Sequence, residues 1–164
     1  MVIGVVSDTH GWYHPALDEA FADADLIVHA GDVGRAEVLD RLEALAPVHG
    51  VYGNVDGPPV RGRLPEWVEF EAAGVRFLVT HIGGHPRRWA QGVEPVLRSE
   101  RPDVFVCGHS HILRIERVPA LGGMLYLNPG AAGRQGLHTV KTCVRLRVEG
   151  GGARQAEVVH LDGE

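Results

Sequence analysis

The sequence is poor in cysteine and in lysine. Two of its 164 residues are cysteine, and Lys141 is the one lysine among 16 basic residues. Cys107 and Cys143 are too few for a disulfide framework, and they are not spaced as a metal-binding pair. We therefore expect two reduced and buried thiols, neither of which acts as a nucleophile.

Long apolar runs and an excess of positive charge are also missing. No apolar run approaches the roughly 20 residues that a helix needs to span a bilayer, and the N-terminus lacks the pattern of a signal peptide. The formal net charge is -5. That charge disfavours an extended nucleic-acid-binding face, which requires clustered lysine and arginine. These features predict a cytoplasmic protein that contacts no membrane.

The composition is that of a compact globular domain with a substantial core. Hydrophobic residues make up 45% of the chain and charged residues 23%. No internal repeat, linker or low-complexity segment divides the sequence. We predict a single domain over residues 1–164, and the sequence leaves an oligomer open.

The first part of the chain alternates between strands and helices. Apolar runs at residues 2–6 and 26–30 are typical of buried parallel strands, and a third strand is expected at 48–52. Apolar residues at helical spacing predict helices over 15–24 and 35–45. This alternation is a βαβ pattern.

The second part of the chain is richer in strands. Residues 66–71 and 75–80 flank an Ala-Gly turn and predict an antiparallel hairpin, and a helix is expected from about Trp89 to Arg98. The remaining predicted strands are 104–107, 112–118, 124–128, 141–148 and 153–160. Helices early and strands late favour an α/β (α+β) fold with two sheets packed as a sandwich between helices.

Polar side chains follow five of the predicted strands at the point where each strand ends. In open α/β sheets, loops beyond the carboxyl ends of different strands converge on one site. The candidate metal ligands in these loops are Asp8, His10, Asp32, Asn54, His81, His109 and His111. Carboxylate, amide and imidazole ligands suit Mn²⁺, Fe, Zn²⁺ or Mg²⁺.

Each of these residues alone has an ordinary structural explanation. Asp32 could cap a helix, Asn54 could form a turn, and His81 or His109 could be a buried histidine bonded to the backbone. The joint pattern makes chance a poor explanation, because seven potential ligands follow five strands. The other histidines, apart from His85, lack such a pattern, and we expect structural roles for His14, His29, His49, His138 and His160.

The order of these motifs resembles that of the calcineurin-like metallophosphoesterases. The motifs are Asp8-x-His10, Gly31-Asp32, Gly53-Asn54, His81, Gly108-His109-x-His111 and the NPGA sequence at 128–131. The short length and the NPGA sequence resemble the small bacterial and archaeal phosphodiesterases of that group. The match covers the chain from Ser7 to Ala131, and several motifs in the right order make it specific.

The resemblance implies a four-layer αββα sandwich with two divalent metal ions, often Mn²⁺, with Ni²⁺, Fe²⁺, Zn²⁺ and Mg²⁺ as alternatives. It implies one metal held by Asp8, His10, Asp32 and His111, and a second held by Asp32, Asn54, His81 and His109. Asp32 would bridge the two ions. The implied reaction is hydrolysis of a small phosphodiester by a hydroxide that bridges the metals, with Asp32, Asn54 and His81 in the catalytic centre.

The sequence departs from the family pattern at two positions. Many larger members carry histidine directly after the Gly-Asn asparagine, whereas Val55 stands here, so protonation of the leaving group is unassigned. Ile82 follows His81 where the family usually has glycine, and His85 is then expected as a substrate contact or acid. The role of Asp56 stays open between orienting Asn54 and completing a turn.

Three other functions deserve comparison. A phosphomonoesterase could use the same metals on a dianion. A metal-free scaffold would resemble the retromer subunit of this fold, which lacks part of the ligand set that this chain retains. A metallo-β-lactamase-like hydrolase requires Asp and His soon after its H-x-H pair, but Ile112, Leu113 and Arg114 follow His111.

Overall fold

Twelve strands and four short α-helices make up the regular structure of residues 1–163, which a computed structural model describes. The strands are β1 (Val2–Val6), β2 (Leu26–His29), β3 (Val48–Gly50), β4 (Trp67–Ala72), β5 (Val75–Thr80), β6 (Gly84–His85), β7 (Arg88–Trp89), β8 (Val104–Val106), β9 (Arg114–Val118), β10 (Met124–Asn128), β11 (Thr142–Glu149) and β12 (Gly152–His160). The helices are α1 (Leu17–Ala20), α2 (Ala36–Glu43), α3 (Pro58–Arg61) and α4 (Val93–Glu100), and a 3-10 helix spans Pro119–Leu121.

Ten of the twelve strands form two mixed five-stranded sheets, and β6 and β7 form a separate two-stranded antiparallel sheet. The first has the order β12-β11-β1-β2-β3, in which β1, β2 and β3 run parallel, β11 is antiparallel to β1, and β12 is antiparallel to β11. The second has the order β4-β5-β8-β10-β9, in which β5, β8 and β10 are parallel. The carboxyl ends of the parallel strands, and the loops that follow them, therefore lie at the same end of each sheet.

Alternation along the strands divides the apolar side chains into three cores. Val5 of β1 and Phe77 of β5 belong to the core between the two sheets. Their neighbours point the other way, so that Val6 packs with helices α1 and α2, and Leu78 packs with α4. Helix, sheet, sheet and helix thus form four layers, which confirms the predicted sandwich.

The helices differ from the prediction in length and position. The helix expected over 15–24 is only α1, because the Ala24 N–H bonds to the Phe21 carbonyl three residues back and the chain leaves the helix in turns. Gly92 has a φ of 80° and cannot continue a helix backwards, so α4 begins at Val93 rather than Trp89. Helix α3 was not predicted. The hairpin of β4 and β5 is confirmed.

Both cysteines match the expectation. Cys107 and Cys143 are free and buried, and burial raises the pKa of each thiol to about 12. A thiol with such a pKa is a poor nucleophile at neutral pH. Within residues 1–163, no helix has the length and apolar character required to cross a membrane.

Candidate metal centre

The polar loops of both sheets meet at the carboxyl ends of β1, β2, β3, β5 and β8. Five of the seven proposed ligands have left-handed backbone angles, with φ of 54° for Asp8, 47° for His10, 53° for Asp32, 71° for His109 and 63° for His111. Such angles are unfavourable for residues other than glycine and persist where the surrounding structure imposes them. Backbone hydrogen bonds of 3.0 Å from Asp8 to Gly31 and from His10 to Asp32 join the first two loops.

One carboxylate oxygen of Asp8 accepts two hydrogen bonds, and the other accepts none. Its Oδ2 accepts hydrogen bonds from the Ser7 hydroxyl at 2.6 Å and the His109 N–H at 3.1 Å. Its Oδ1 is buried and has no hydrogen-bond partner. The Oδ1 atom instead faces three imidazole Nε2 atoms, at 3.7 Å for His10, 3.9 Å for His81 and 3.3 Å for His111. An unpaired buried oxygen costs free energy that a cation would recover.

Asp32 divides its oxygens in the same way. Its Oδ1 accepts the Val55 N–H at 3.1 Å, while Oδ2 lies 3.0 Å from His81 Nε2 and 3.7 Å from His10 Nε2. The free oxygen of Asp32 is therefore close to a histidine of each proposed ligand set. This position is the one that a bridging carboxylate requires.

The partner of His81 determines its tautomer. Its Nδ1 lies 2.7 Å from the Ala30 carbonyl oxygen, which can only accept, so Nδ1 carries the proton. The Nε2 atom is then left with its lone pair directed at the carboxylates, buried and without a hydrogen-bond partner. A histidine oriented by a backbone carbonyl with its other nitrogen bare has the usual arrangement of a metal ligand.

A series of hydrogen bonds through His138 orients His111. The Nε2 of His138 lies 2.8 Å from the Gly133 carbonyl oxygen and must donate to it, so a neutral His138 presents Nδ1 as an acceptor. His111 Nδ1 lies 3.2 Å from that atom and donates, which frees His111 Nε2 to face Asp8 and His10 Nε2 at 3.4 Å. His138 thus supports a proposed ligand, a structural role that no motif in the sequence indicated. Its 27-residue separation from His111 hid the contact.

His109 and Asn54 form the exposed side of the cluster. His109 Nδ1 and Asn54 Oδ1 are 3.1 Å apart, and both residues are open to solvent. By contrast, Asp8, Asp32 and His81 are buried. A small molecule therefore reaches the cluster from the side of His109 and Asn54.

The site attracts positive charge. Burial alone would raise the pKa of Asp8 and of Asp32, but the nearby histidine side chains favour the charged carboxylates, outweigh the burial and lower both pKa values. The neighbouring Asp8 carboxylate raises the pKa of His10, and Asp32 and Asp8 raise that of His81 despite its burial. Protons and metal cations compete for this charge.

Ligand atoms in the structure form two groups, each within 4.8 Å, which are Asp8, His10 and His111, and Asp32, His81 and His109. The donor types and the unpaired Asp8 Oδ1 and His81 Nε2 fit divalent cations. Asn54 joins the second group through its contact with His109. The assignment of individual ligands stays a prediction, but the structure brings all seven residues together.

Asp56 and Gly53 explain how two of these loops are held. The Asp56 carboxylate is buried and accepts N–H bonds from Val33, Gly34 and Gly53, at 3.1, 2.8 and 2.8 Å. It thus ties the Asp32 loop to the Asn54 loop and also closes the turn. A Cβ on Gly53 would collide with the Asp32 carboxylate and backbone N, so the loops approach only with glycine there.

The remaining histidines lie outside both groups. His29 is buried beneath the loops, where Nδ1 accepts the Gly31 N–H at 3.1 Å and Nε2 contacts the Thr9 hydroxyl at 3.0 Å. His14 pairs with Asp162 and His49 stacks on Phe70. His85 lies in β6, and its Nδ1 donates to the Pro86 carbonyl at 3.0 Å. Within the described chain His85 joins neither ligand group, and its catalytic role stays a prediction.

Known proteins share both the sequence pattern and the fold. The model of the calcineurin-like phosphoesterase superfamily domain matches residues 1–151. A protein of Methanothermobacter thermautotrophicus, named as a probable metallophosphoesterase, is 36% identical over 140 residues, or 80% of this chain and 77% of the relative. A similarly named protein of Methanocaldococcus jannaschii is 34% identical over 137 residues, or 80% of this chain and 68% of that relative.

Solved structures show the same fold at lower identity. A predicted phosphoesterase from Streptococcus pneumoniae has a TM-score of 0.75 at 21% identity, covering 99% of this chain and 91% of its own. Vps29 from Entamoeba histolytica, complexed with zinc, has a TM-score of 0.73 at 22% identity, covering 98% and 99%. These likenesses concern the fold, while the family model and the curated relatives identify the family. The chain belongs to the calcineurin-like phosphoesterase superfamily.

Proposed function

We propose that this protein is a metal-dependent phosphodiesterase that hydrolyses small phosphodiesters at a pair of divalent cations, with Mn²⁺ as the first candidate metal. The observation that carries the proposal is the pair of adjoining ligand groups, in which Asp8 Oδ1 and His81 Nε2 are buried without a partner. Family membership supports a metal-dependent phosphoesterase, and the relatives' names support a hydrolase of this kind.

The charge of the site favours a singly charged substrate. Asp8 and Asp32 together contribute two negative charges, so two divalent cations leave the centre positive. When bound, such a pair lowers the pKa of a shared water towards about 7 and withdraws charge from the phosphoryl oxygens. A phosphodiester monoanion complements that centre, and the exposed Asn54 and His109 border the side from which it would approach.

The residues around the metals determine what else the site can supply. Val55 occupies the position of the family's frequent histidine, is 55% exposed, and has no proton to donate from its side chain. We therefore expect slow hydrolysis of diesters whose leaving alcohol has a high pKa, and faster hydrolysis as that pKa falls. His111, oriented by His138, and His81, oriented by the Ala30 carbonyl, both direct Nε2 towards the Asp8 carboxylate without rearrangement.

The test begins with protein stripped of metal by a chelator. Reconstitution with Mn²⁺, Ni²⁺, Fe²⁺, Zn²⁺ or Mg²⁺ should restore cleavage of bis(4-nitrophenyl) phosphate, with two ions per chain by elemental analysis. Asn54→Ala should fold normally and bind the second ion poorly. Because Asn54 is exposed, its replacement should have little effect on the stability of the fold, and circular dichroism checks that the variant is folded.

Other outcomes would favour other functions. Faster cleavage of 4-nitrophenyl phosphate than of the diester would support a phosphomonoesterase. Diester cleavage that a chelator never reduces would contradict the metal mechanism. A site that takes up no metal, in a protein without activity, would support a scaffold.

A further inference from the structure

A recess of about 640 Å³ opens directly beside the second ligand group. Asn54 and His81 form the end of the recess that faces the metal centre. Much of the rest of its wall is apolar and includes Tyr52, Trp67, Ile82, Val93 and Val96. The other polar residues in the wall are Arg61, Glu66, Thr80 and Gln91. A group attached to a phosphate over the metal centre could therefore extend into this recess.

The exposure pattern makes this the accessible side of the centre. The buried ligands Asp8 and Asp32 close the floor, whereas Asn54 and His109 are exposed. Ile82 stands at the same opening with 43% of its surface exposed, directly after His81 in the chain. An exposed isoleucine fixed to a ligand residue costs solvation free energy that a bound apolar group would recover.

The aromatic part of the wall is held in place. The Arg61 guanidinium lies 4.3 Å from the centre of the Tyr52 ring, and Arg61 Nε donates to the Asp56 carbonyl oxygen at 2.5 Å. Trp67 packs against the core beside α4, where Val93 is 2% exposed. A preformed wall of aromatic and branched side chains suits a flat ring better than a flexible polar chain.

We propose that this recess binds a ring-bearing ester group of the substrate, so that the preferred diesters carry an aryl or nucleobase ring. This inference rests on the proposed phosphodiesterase function and names the substrate class for the same site. Ile82, Trp67 and Tyr52 then determine specificity, and the polar side chains of Arg61 and Gln91, which also line the recess, are available to the ring's edge.

The test compares binding of diphenyl phosphate and dimethyl phosphate to the metal-loaded protein by calorimetry. Both are phosphodiester monoanions, and only the first has rings. We expect diphenyl phosphate to bind at least about tenfold more tightly, because the ring buries apolar surface. Saturation-transfer NMR should show that the ring protons of diphenyl phosphate contact the protein.

Ile82→Ser supplies the decisive variant and Ile112→Ser its matched control. Both isoleucines directly follow a proposed ligand histidine and both are exposed, but Ile82 lines the recess and Ile112 does not. Ile82→Ser should weaken diphenyl phosphate binding about tenfold and leave dimethyl phosphate unchanged, and Ile82→Val should fall between. Ile112→Ser should change neither.

Equal binding of the two diesters by the unaltered protein would overturn the inference, as would equal losses from the two serine variants. Cleavage of bis(4-nitrophenyl) phosphate is measured in parallel. If the protein cleaves this diester but binds diphenyl and dimethyl phosphate equally well, the recess does not bind the ring, and the proposed phosphodiesterase function is retained. Absence of cleavage with every metal would reject the proposed function itself, and the two failures are thus distinguishable.

Discussion

Replacement of Asp56 should lower the unfolding free energy of the protein, because this residue joins two of the metal-binding loops. Its carboxylate accepts three backbone N–H groups, and two of them, from Val33 and Gly53, lie on buried residues. Gly34, the third donor, is exposed and can turn to water when the acceptor is removed. Asp56→Ala therefore leaves two buried donors unpaired.

The magnitude follows from those two donors. Each unpaired buried donor costs about 1–3 kcal/mol, so Asp56→Ala should lose about 4 kcal/mol of unfolding free energy. Asp56→Asn should lose about 1–2 kcal/mol, because one amide oxygen can still accept from both buried donors. A domain with a stability of about 5–15 kcal/mol stays folded after either change.

Urea unfolding of the metal-free protein, followed by circular dichroism and tryptophan fluorescence, measures both losses. Asp103→Ala is the matched control, since exposed Asp103 accepts a single N–H, that of Arg76, at 2.8 Å. It should cost about 1 kcal/mol or less. Equal losses for Asp56→Ala and Asp103→Ala, or an Asn variant as unstable as the Ala variant, would refute the reasoning.

Three further predictions concern residues that hold the ligands and their loops in place. His138→Phe should weaken metal binding at the His111 group by about 10–100-fold in a metal titration, while the fold stays intact; unchanged affinity would show that the contact is incidental. Gly53→Ala should displace the Asp32 carboxylate and reduce both metal content and diester cleavage, and full activity would contradict the close approach. Burial lowers the pKa of His29 to about 4 from 6.5, so the unfolded chain binds its proton more readily. In the metal-free protein His29 should therefore contribute a loss of up to about 3 kcal/mol of unfolding free energy as pH falls from about 6.5 to 4. His29→Gln should flatten that dependence in urea unfolding at several pH values.

Local sequence was sufficient for the strands of the two five-stranded sheets and for the place of the site, but it did not indicate β6 and β7. Runs such as Val2–Val6 are apolar throughout because both faces of a central strand are buried, and that pattern is visible without any distant contact. Polar residues directly after such runs lie at the strand ends, so Asp8 and Asp32 could be assigned to one region before the fold was known. The sandwich and the family followed from the same order of motifs.

Contacts between distant segments decided the rest. His138 has no local feature that marks it, and it reaches His111 only because the loop after β10 returns to the cluster. Asp56 appears in the sequence as a turn residue, and its bonds to Val33 and Gly34 depend on the parallel alignment of β2 and β3. The recess beside Ile82 exists where α4 packs on the second sheet. Apolar periodicity records whether a residue is buried, but sheet order and register determine which residues then meet.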